Sequence, residues 1–302
     1  MSLLTVGTVA FDGIETPFGK VDKILGGSAT YIGIAASYFT NKSNLISVVG
    51  DDFLDSDILL LKQHLINCDG LKVIRGEKTF FWSGKYHKNM NMRDTIETRL
   101  NVLENFTPLV PESYQDCRYL MLANLMPSIQ LDAIQKLKNK PKLIVTDTMN
   151  YWMDNCLKDL LRVIKITDVL IINDTEALQL SEENNLSDAS KKILTMGPSF
   201  LIIKKGADGA LLFEENKVFS CPSFVVEKCV DPTGAGDTFA GAFIGHLHNS
   251  NNLSFENMTA GVIKACAMAS FCVEDFGVNN IIHKDVNEID NRIQLLHRAK
   301  NN

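Results

Sequence analysis

No apolar run in this 302-residue chain approaches the roughly 18 residues needed to span a bilayer. The start, Met1-Ser2-Leu3-Leu4-Thr5-Val6, has no basic stretch ahead of an apolar core and passes directly into a strand-like segment. No secretory leader is therefore expected, and a cytoplasmic protein is. The seven cysteines include no C-x-x-C pair and the six histidines show no metal-ligand spacing, which argues against a disulfide framework or a zinc site. Positive charge is not in excess: 30 Lys and Arg stand against 36 Asp and Glu, a net charge of −6, which gives no electrostatic case for nucleic acid or an anionic membrane. No G-x-x-x-x-G-K-[ST] string is present, so a Walker-type phosphate loop is excluded. Internal repeats and low-complexity linkers are also missing, and the simplest expectation is one domain over 1–302.

What is present is a 45% hydrophobic composition, enough for a full globular core, arranged as short β-branched runs alternating with helical patterns. Leu4–Gly7, Leu45–Val49, Tyr119–Leu122, Leu143–Thr146, Val169–Ile172 and Leu201–Lys204 read as buried strands. Ser28–Phe39, Leu54–Ile66, Ile129–Leu137, Met153–Ile164 and Ala189–Met196 read as helices between them. This spacing predicts an α/β fold with a mainly parallel central sheet and helices on both faces. Two segments, at about 11–25 and 71–100, break the rhythm and read as short antiparallel strands forming a small β lid. Phe80, Phe81, Trp82 and Tyr86 would give that lid an aromatic face, covered by ligand, by a second subunit, or by ordinary hairpin packing.

The most informative stretch is Asp231-Pro232-Thr233-Gly234-Ala235-Gly236-Asp237-Thr238-Phe239-Ala240-Gly241. Small residues lead into an apolar helix that begins near Ala235, and its unpaired N–H groups would be open to an anion. Asp237 stands at that junction, where a carboxylate is unfavourable beside an anion unless it takes a proton from an attacking hydroxyl. The plain alternative is a glycine-rich turn that starts a core helix. Taken whole, the string resembles the C-terminal signature of the ribokinase-like (PfkB) family of carbohydrate kinases, and the resemblance extends over nearly the whole chain.

The resemblance implies ATP as co-substrate with Mg2+, Asp237 as catalytic base, and Gly234, Ala235 and Gly236 as an anion hole for the transferring phosphoryl group. Asn173-Asp174-Thr175-Glu176 fits the family's N-x-x-E motif, with Asn173 on the nucleotide phosphates and Glu176 on Mg2+ through water; a helix N-cap is the alternative. Lys204-Lys205-Gly206-Ala207-Asp208-Gly209 resembles the G-x-x-G nucleotide loop, assigning Lys204, Gly206 and Gly209 to the nucleotide together with Thr233. A simple hairpin turn would also read this way. ATP's base is expected against a helix over Asn257–Phe271, where Ala265, Ala267, Ala269 and Ser270 leave room. Asp231 corresponds to a position that contributes to a monovalent cation site in several members, which leaves K+ an option.

On the acceptor side the resemblance places Asp12, Gly26 and Gly27 at the sugar hydroxyls. The usual G-G-x-x-x-N is broken, because Tyr31 stands where Asn is the rule. Tyr31 can hydrogen bond and offers a stacking face, so ribose itself is in doubt. Asn124 and Asp147 follow strands and point by topology into the same cleft. The D-x-N-x-R of some sugar-acid kinases is not met, since Met149 and Tyr151 occupy its later positions. Arg93 and Arg99 in the lid would meet an acidic group or simply be solvated. The resulting expectation is phosphorylation of a primary hydroxyl of a sugar-like small molecule. The alternatives are a nucleoside kinase on the same fold, or a non-catalytic sugar- or nucleotide-binding regulator. A homodimer through the lid is a further option.

Overall fold

Short, β-branched apolar runs bounded by turns suit strands of a sheet covered on both faces, where their backbone groups pair across the ladder. The computed structural model, which describes residues 2–299, builds that sheet. Its strands in chain order are β1 (Leu3–Val6), β2 (Ala10–Thr16), β3 (Gly19–Gly26), β4 (Ser43–Gly50), β5 (Ile66–Ile74), β6 (Phe81–Tyr86), β7 (Arg93–Arg99), β8 (Tyr119–Leu122), β9 (Leu143–Asp147), β10 (Val169–Asn173), β11 (Phe200–Lys204), β12 (Ala210–Glu214) and β13 (Lys217–Cys221). The helices are α1 (Ser28–Ser37), α2 (Asp55–Gln63), α3 (Pro127–Gln135), α4 (Asn150–Asn155), α5 (Leu157–Ile164), α6 (Asp174–Ser181), α7 (Leu186–Leu194), α8 (Ala235–Ser250), α9 (Phe255–Cys272) and α10 (Val286–Ala299). No helix among the described residues is long and apolar enough to cross a membrane.

The main sheet has nine strands in the order β13-β12-β11-β10-β9-β8-β1-β4-β5, parallel from β11 to β5 and antiparallel at β12 and β13. The chain runs outward from β1 in both directions, so the strand order reverses there. Ligands in open α/β sheets collect at such a point, beyond the carboxyl ends of the strands. A separate four-stranded sheet, β3-β2-β6-β7, forms the lid. Helix α1 is apolar all round and buried from Ser28 to Ala36. It lies against α8, where Gly241 and Gly245 let the two backbones approach.

Three expectations need correction. Leu71–Ile74 belongs to β5, a parallel edge strand of the main sheet, and not to the lid. The helix expected over Leu54–Ile66 stops at Gln63, because Leu65 takes a left-handed φ of 59° and Ile66 starts β5. Met153–Ile164 is not one helix: the chain leaves helical geometry at Cys156 (φ −139°) between α4 and α5. In each case a short apolar run satisfied more than one period, and packing chose between them.

The lid aromatics do not form one face. Alternation along β6 puts Trp82 and Tyr86 on one side and Phe81 on the other, while Phe80 precedes the strand. A register shift opposite Ser83/Gly84 adds Ile96 to β7, so that Arg93 pairs with Tyr86 whereas Arg99 pairs with Phe81. The bulge therefore sends two arginines six residues apart to opposite faces of the lid.

Candidate active site

Asp237 lies in the first turn of α8, whose N-cap is Gly234 with φ +76°. A Cβ on Gly234 would stand 2.3 Å from two ring carbons of Tyr31, so only glycine fits the turn. The Gly234, Gly236 and Asp237 amides have no backbone partner among the described residues, whereas Ala235 N–H donates to Pro232 O at 3.2 Å. Of the three amides expected to face an anion, that of Ala235 is already engaged within the turn, while those of Gly234 and Gly236 are open. Asp237 is half-buried, yet its Oδ1 is closed off from solvent and has no hydrogen-bond partner. Burial first, and the Asp147 carboxylate second, push its pKa up to about 7.

Three strand ends lie beside this turn. Lys204, the last residue of β11, donates from Nζ to Oδ1 of Asp147, the last residue of β9, at 3.0 Å. A Cβ built on Gly236 would lie 2.9 Å from the same Nζ. At the end of β10, Asn173 Oδ1 accepts from Glu176 N–H and Glu176 Oε2 accepts from Asn173 N–H, both at 2.8 Å. The N-x-x-E string is therefore a capping box as well as a candidate phosphate and metal motif. Glu176 is raised to about 7, chiefly by burial. For Lys204, burial would depress the pKa, but the neighbouring Asp147 and Glu176 outweigh it and the net shift is upward.

Asp12 comes from the lid, on β2, and is 5% exposed. Burial, then the charges of Asp231 and Asp237, raise it to about 7, while a hydrogen bond from Gly27 N–H works the other way. A Cβ on Gly26 would fall 2.0 Å from Asp12 Oδ2, so the glycine pair is what lets this carboxylate lie against the start of α1. Arg93 acts on Asp12, Glu176 and Asp237 alike, each time in the direction that favours the charged carboxylate. Sequence alone leaves Arg93, like Arg99, between meeting an acidic group and plain solvation. Arg99, on the opposite face, is held by Glu97 through two hydrogen bonds of 2.7 and 2.8 Å. Tyr86 joins the lid to the signature turn: Thr233 Oγ1 donates to its hydroxyl at 3.0 Å. The sequence marks Tyr86 as a lid aromatic but gives no sign of this contact, which spans 147 residues.

Several expected site residues do other work. Tyr31 is 1% exposed, packs its ring against Gly234 and leaves its buried hydroxyl without a partner, so it offers no stacking face to a ligand. Asn124 Oδ1 accepts from Trp152 Nε1 at 2.7 Å and its Nδ2 faces Met149 Sδ at 3.2 Å, which ties it to α4. Both oxygens of Asp231 are taken, by Thr233 N–H at 2.8 Å and Gly277 N–H at 2.9 Å, so this carboxylate fastens the turn to a distant loop. Gly206 and Gly209 bracket a tight turn closed by Lys205 N–H to Gly209 O at 2.7 Å, and Asn91 at the lid tip lies 3.3 Å from where a Gly206 Cβ would be. On α9, Ala265, Ala267 and Ser270 are buried, and only Ala269 of the expected small residues is partly open. Room for a base there is narrower than composition suggested.

Among the described residues no three acidic, histidine or cysteine side chains converge to hold a metal unaided. Glu176, buried in the first turn of α6, is an all-oxygen donor. One such carboxylate fits a hard divalent ion that keeps most of its waters and arrives with phosphate oxygens.

Comparison with known proteins gives a consistent picture. Residues 12–285 match the model of the pfkB family carbohydrate kinases. A cytidine kinase of Thermococcus kodakarensis is 26% identical over 248 residues, 81% of this chain and 87% of that protein. A nucleoside kinase of Methanothermobacter thermautotrophicus is 25% identical over 297 residues, 93% of this chain and 92% of its own. Among solved structures, a ribokinase II from E. coli in complex with ATP and Mg2+ superposes with a TM-score of 0.80 over 97% of this chain and 99% of that one, at 22% identity. The nucleoside kinase of Methanocaldococcus jannaschii does so with 0.77 over 98% and 99%, also at 22%. At that identity the two structures speak for the fold.

Proposed function

Since the chain belongs to the pfkB family of carbohydrate kinases, we propose that it moves the γ-phosphoryl group of ATP to a primary hydroxyl of a sugar-bearing acceptor, with Asp237 as the base. The observation that carries this is the unpaired, solvent-shielded Oδ1 of Asp237 beside the free amides of Gly234 and Gly236. A carboxylate held near neutrality can orient a hydroxyl and take its proton, worth about 10²–10⁴-fold in rate. The amides receive the equatorial oxygens of a largely dissociative transition state. Asp12, with the Gly26-Gly27 backbone, holds the acceptor's hydroxyls, and Asn173 and the Gly206–Gly209 turn hold the nucleotide. Glu176 would hold Mg2+ through water, an ion that offsets the charge of the phosphates. The proposal assigns no potassium to Asp231, whose oxygens already serve as a tether.

The proposal treats 1–302 as one kinase unit with the lid set into it. Tyr86 and Arg93 on the lid's inner face put it over the acceptor, where closure excludes water from the reaction. Its other face, with Phe81, Val21 and the 61% exposed Ile96, lines a cleft of about 680 Å³ that includes none of Asp12, Tyr86, Arg93 or Asp237. We assign that face to a second copy of the chain. Light scattering is expected to give a dimer mass, and a monomer at micromolar concentration would remove the assignment.

For the acceptor, a nucleoside competes with a free sugar, and one observation favours it: the cytidine and nucleoside kinases cover 81% and 93% of this chain. Stacking on Tyr31 is not part of that case, since the ring is buried. The test is a screen of ADP release across pentoses, hexoses, sugar acids and nucleosides, with thermal shifts in parallel. Stabilisation and turnover with nucleosides alone would sink the free-sugar reading; activity with free sugars alone would sink the other.

A further inference from the structure

We propose that Lys204 is the cation the chain itself supplies to the transferring phosphoryl group, with Asp147 as the residue that keeps it positioned until the nucleotide arrives. This rests on the kinase reading and deepens it: the resemblance assigns Lys204 only to the nucleotide, whereas its place beside the signature turn and its pairing with Asp147 are features of the tertiary structure.

The placement is geometric. Lys204 ends β11 in register with Asn173 of β10, so its side chain leaves the sheet at the same carboxyl edge as the phosphate-side motif. Its Nζ reaches the rim of the signature turn, 2.9 Å from the position of a Gly236 Cβ. A side chain at 236 would crowd the ammonium, and glycine leaves it room at the turn. An ammonium has three donors, and among the described residues this one makes a single hydrogen bond, to Asp147 Oδ1. Two donors remain for an anion.

The charge balance points the same way. Asp12, Asp147, Glu176 and Asp237 crowd a largely buried volume, and ATP adds more negative charge. Lys204 and Arg93 are the cations that act on Asp237. Arg93 is mounted on the lid, while Lys204 is fixed to the core sheet and held charged by Asp147 and Glu176 against the cost of burial. With no Walker lysine in the chain, Lys204 takes the corresponding electrostatic part. In the step itself the bond from Pγ to the β,γ-bridging oxygen breaks and the bond from Pγ to the acceptor oxygen forms. The acceptor's proton passes to Asp237, and ADP leaves with the bridging oxygen. Lys204 changes only hydrogen-bond partner, from Asp147 toward a phosphoryl oxygen, and keeps its protons. A contact that strengthens as charge spreads over the equatorial oxygens raises kcat more than it lowers KM.

The test compares wild type with Lys204→Met, Lys204→Arg and Lys204→Met/Asp147→Asn. Turnover is read by coupled ADP release, ATP affinity by calorimetry and folding by thermal melting. Lys204→Met is expected to lower kcat by about 10²–10³-fold, the loss typical of one preorganised donor, to weaken ATP binding, and to change the acceptor KM little. Lys204→Arg keeps a cation and recovers much of the rate. The single variant leaves Asp147 buried without a partner, so the double variant separates chemistry from folding: it is expected to melt near wild type and stay slow. If the double variant regains wild-type turnover, the lysine only neutralised Asp147 and the proposal falls. It also falls if Lys204→Met binds ATP and turns over like wild type. A wrong acceptor shows differently, as wild-type protein that binds ATP and releases no ADP, while the loss of ATP affinity in Lys204→Met still stands.

Discussion

Asp237→Asn is expected to reduce kcat by about 10²–10⁴-fold while ATP still binds, and at the same time to make the ligand-free protein more stable above neutral pH. The two effects have one origin. In the free protein the Asp237 carboxylate sits without a hydrogen bond on Oδ1, and burial together with Asp147 raises its pKa from 3.8 to about 7. A folded pKa above the unfolded one means that the folded state holds its proton more tightly. The protonated side chain therefore costs nothing below about pH 4, and the penalty grows as pH rises, becoming complete above about 7. Asparagine keeps the shape and removes the charge. After discounting for the half-open cleft, the gain above pH 7 is about 1–2 kcal/mol, or a rise in melting temperature of about 2–5 °C. At pH 4 the two proteins should melt together. The catalytic side has the opposite pH sign. A base must be deprotonated, so kcat/KM in wild type should climb through about pH 7 and level off above it. The climb should be steeper than that of one group, because Asp12 and Glu176 are raised to the same range. A variant with the wild-type rate, or one less stable than wild type at pH 8, would show that Asp237 is a structural cap and not the base.

The second large effect is expected from a single methyl group. Gly234→Ala places a Cβ 2.3 Å from Cε1 and Cζ of Tyr31 at a residue whose φ is +76°. The left-handed backbone costs alanine roughly 1–2 kcal/mol, and forcing the buried ring aside adds about 1–3 kcal/mol. Unfolding in denaturant should therefore show a total loss of about 2–5 kcal/mol. The turn must move to relieve the overlap, which displaces the Gly234 and Gly236 amides from the phosphoryl oxygens, and kcat should drop by at least about 10²-fold. The Tyr31→Ala background separates the two costs. Without the ring only the backbone part remains, so Gly234→Ala should cost about 1–2 kcal/mol there. An equal cost in both backgrounds would mean that Tyr31 does not support the turn. This also explains why a chain with tyrosine in place of the usual asparagine can keep the signature intact: the ring is buried beneath the turn.

The parallel sheet is legible in the chain because most of its buried strands and crossover helices are encoded over fewer than twenty residues. The signature turn and its Asp237, the N-x-x-E string and the Gly26-Gly27 pair were legible for the same reason: local backbone demands are written in local residues. The lid was harder. Leu71–Ile74 has the composition of a lid strand yet pairs with β4, since a short β-branched run carries no label for its partner. Tyr31 was read as a ligand contact because its position in the motif is visible, while the Gly234 it packs against lies some two hundred residues on. Arg93 was indistinguishable from Arg99 until a one-residue bulge in β7 turned one toward the carboxylates and the other toward Glu97. What the sequence determined alone was the fold and the kinase family, and it singled out Asp237 as the candidate base, all from short spans of chain. What tertiary structure alone decided was how charge is arranged around that base: the Asp147–Lys204 pair, the Tyr86–Thr233 contact and the approach of Arg93. Each joins residues that are distant in the chain, and Coulomb and hydrogen-bond energies depend on separation in space.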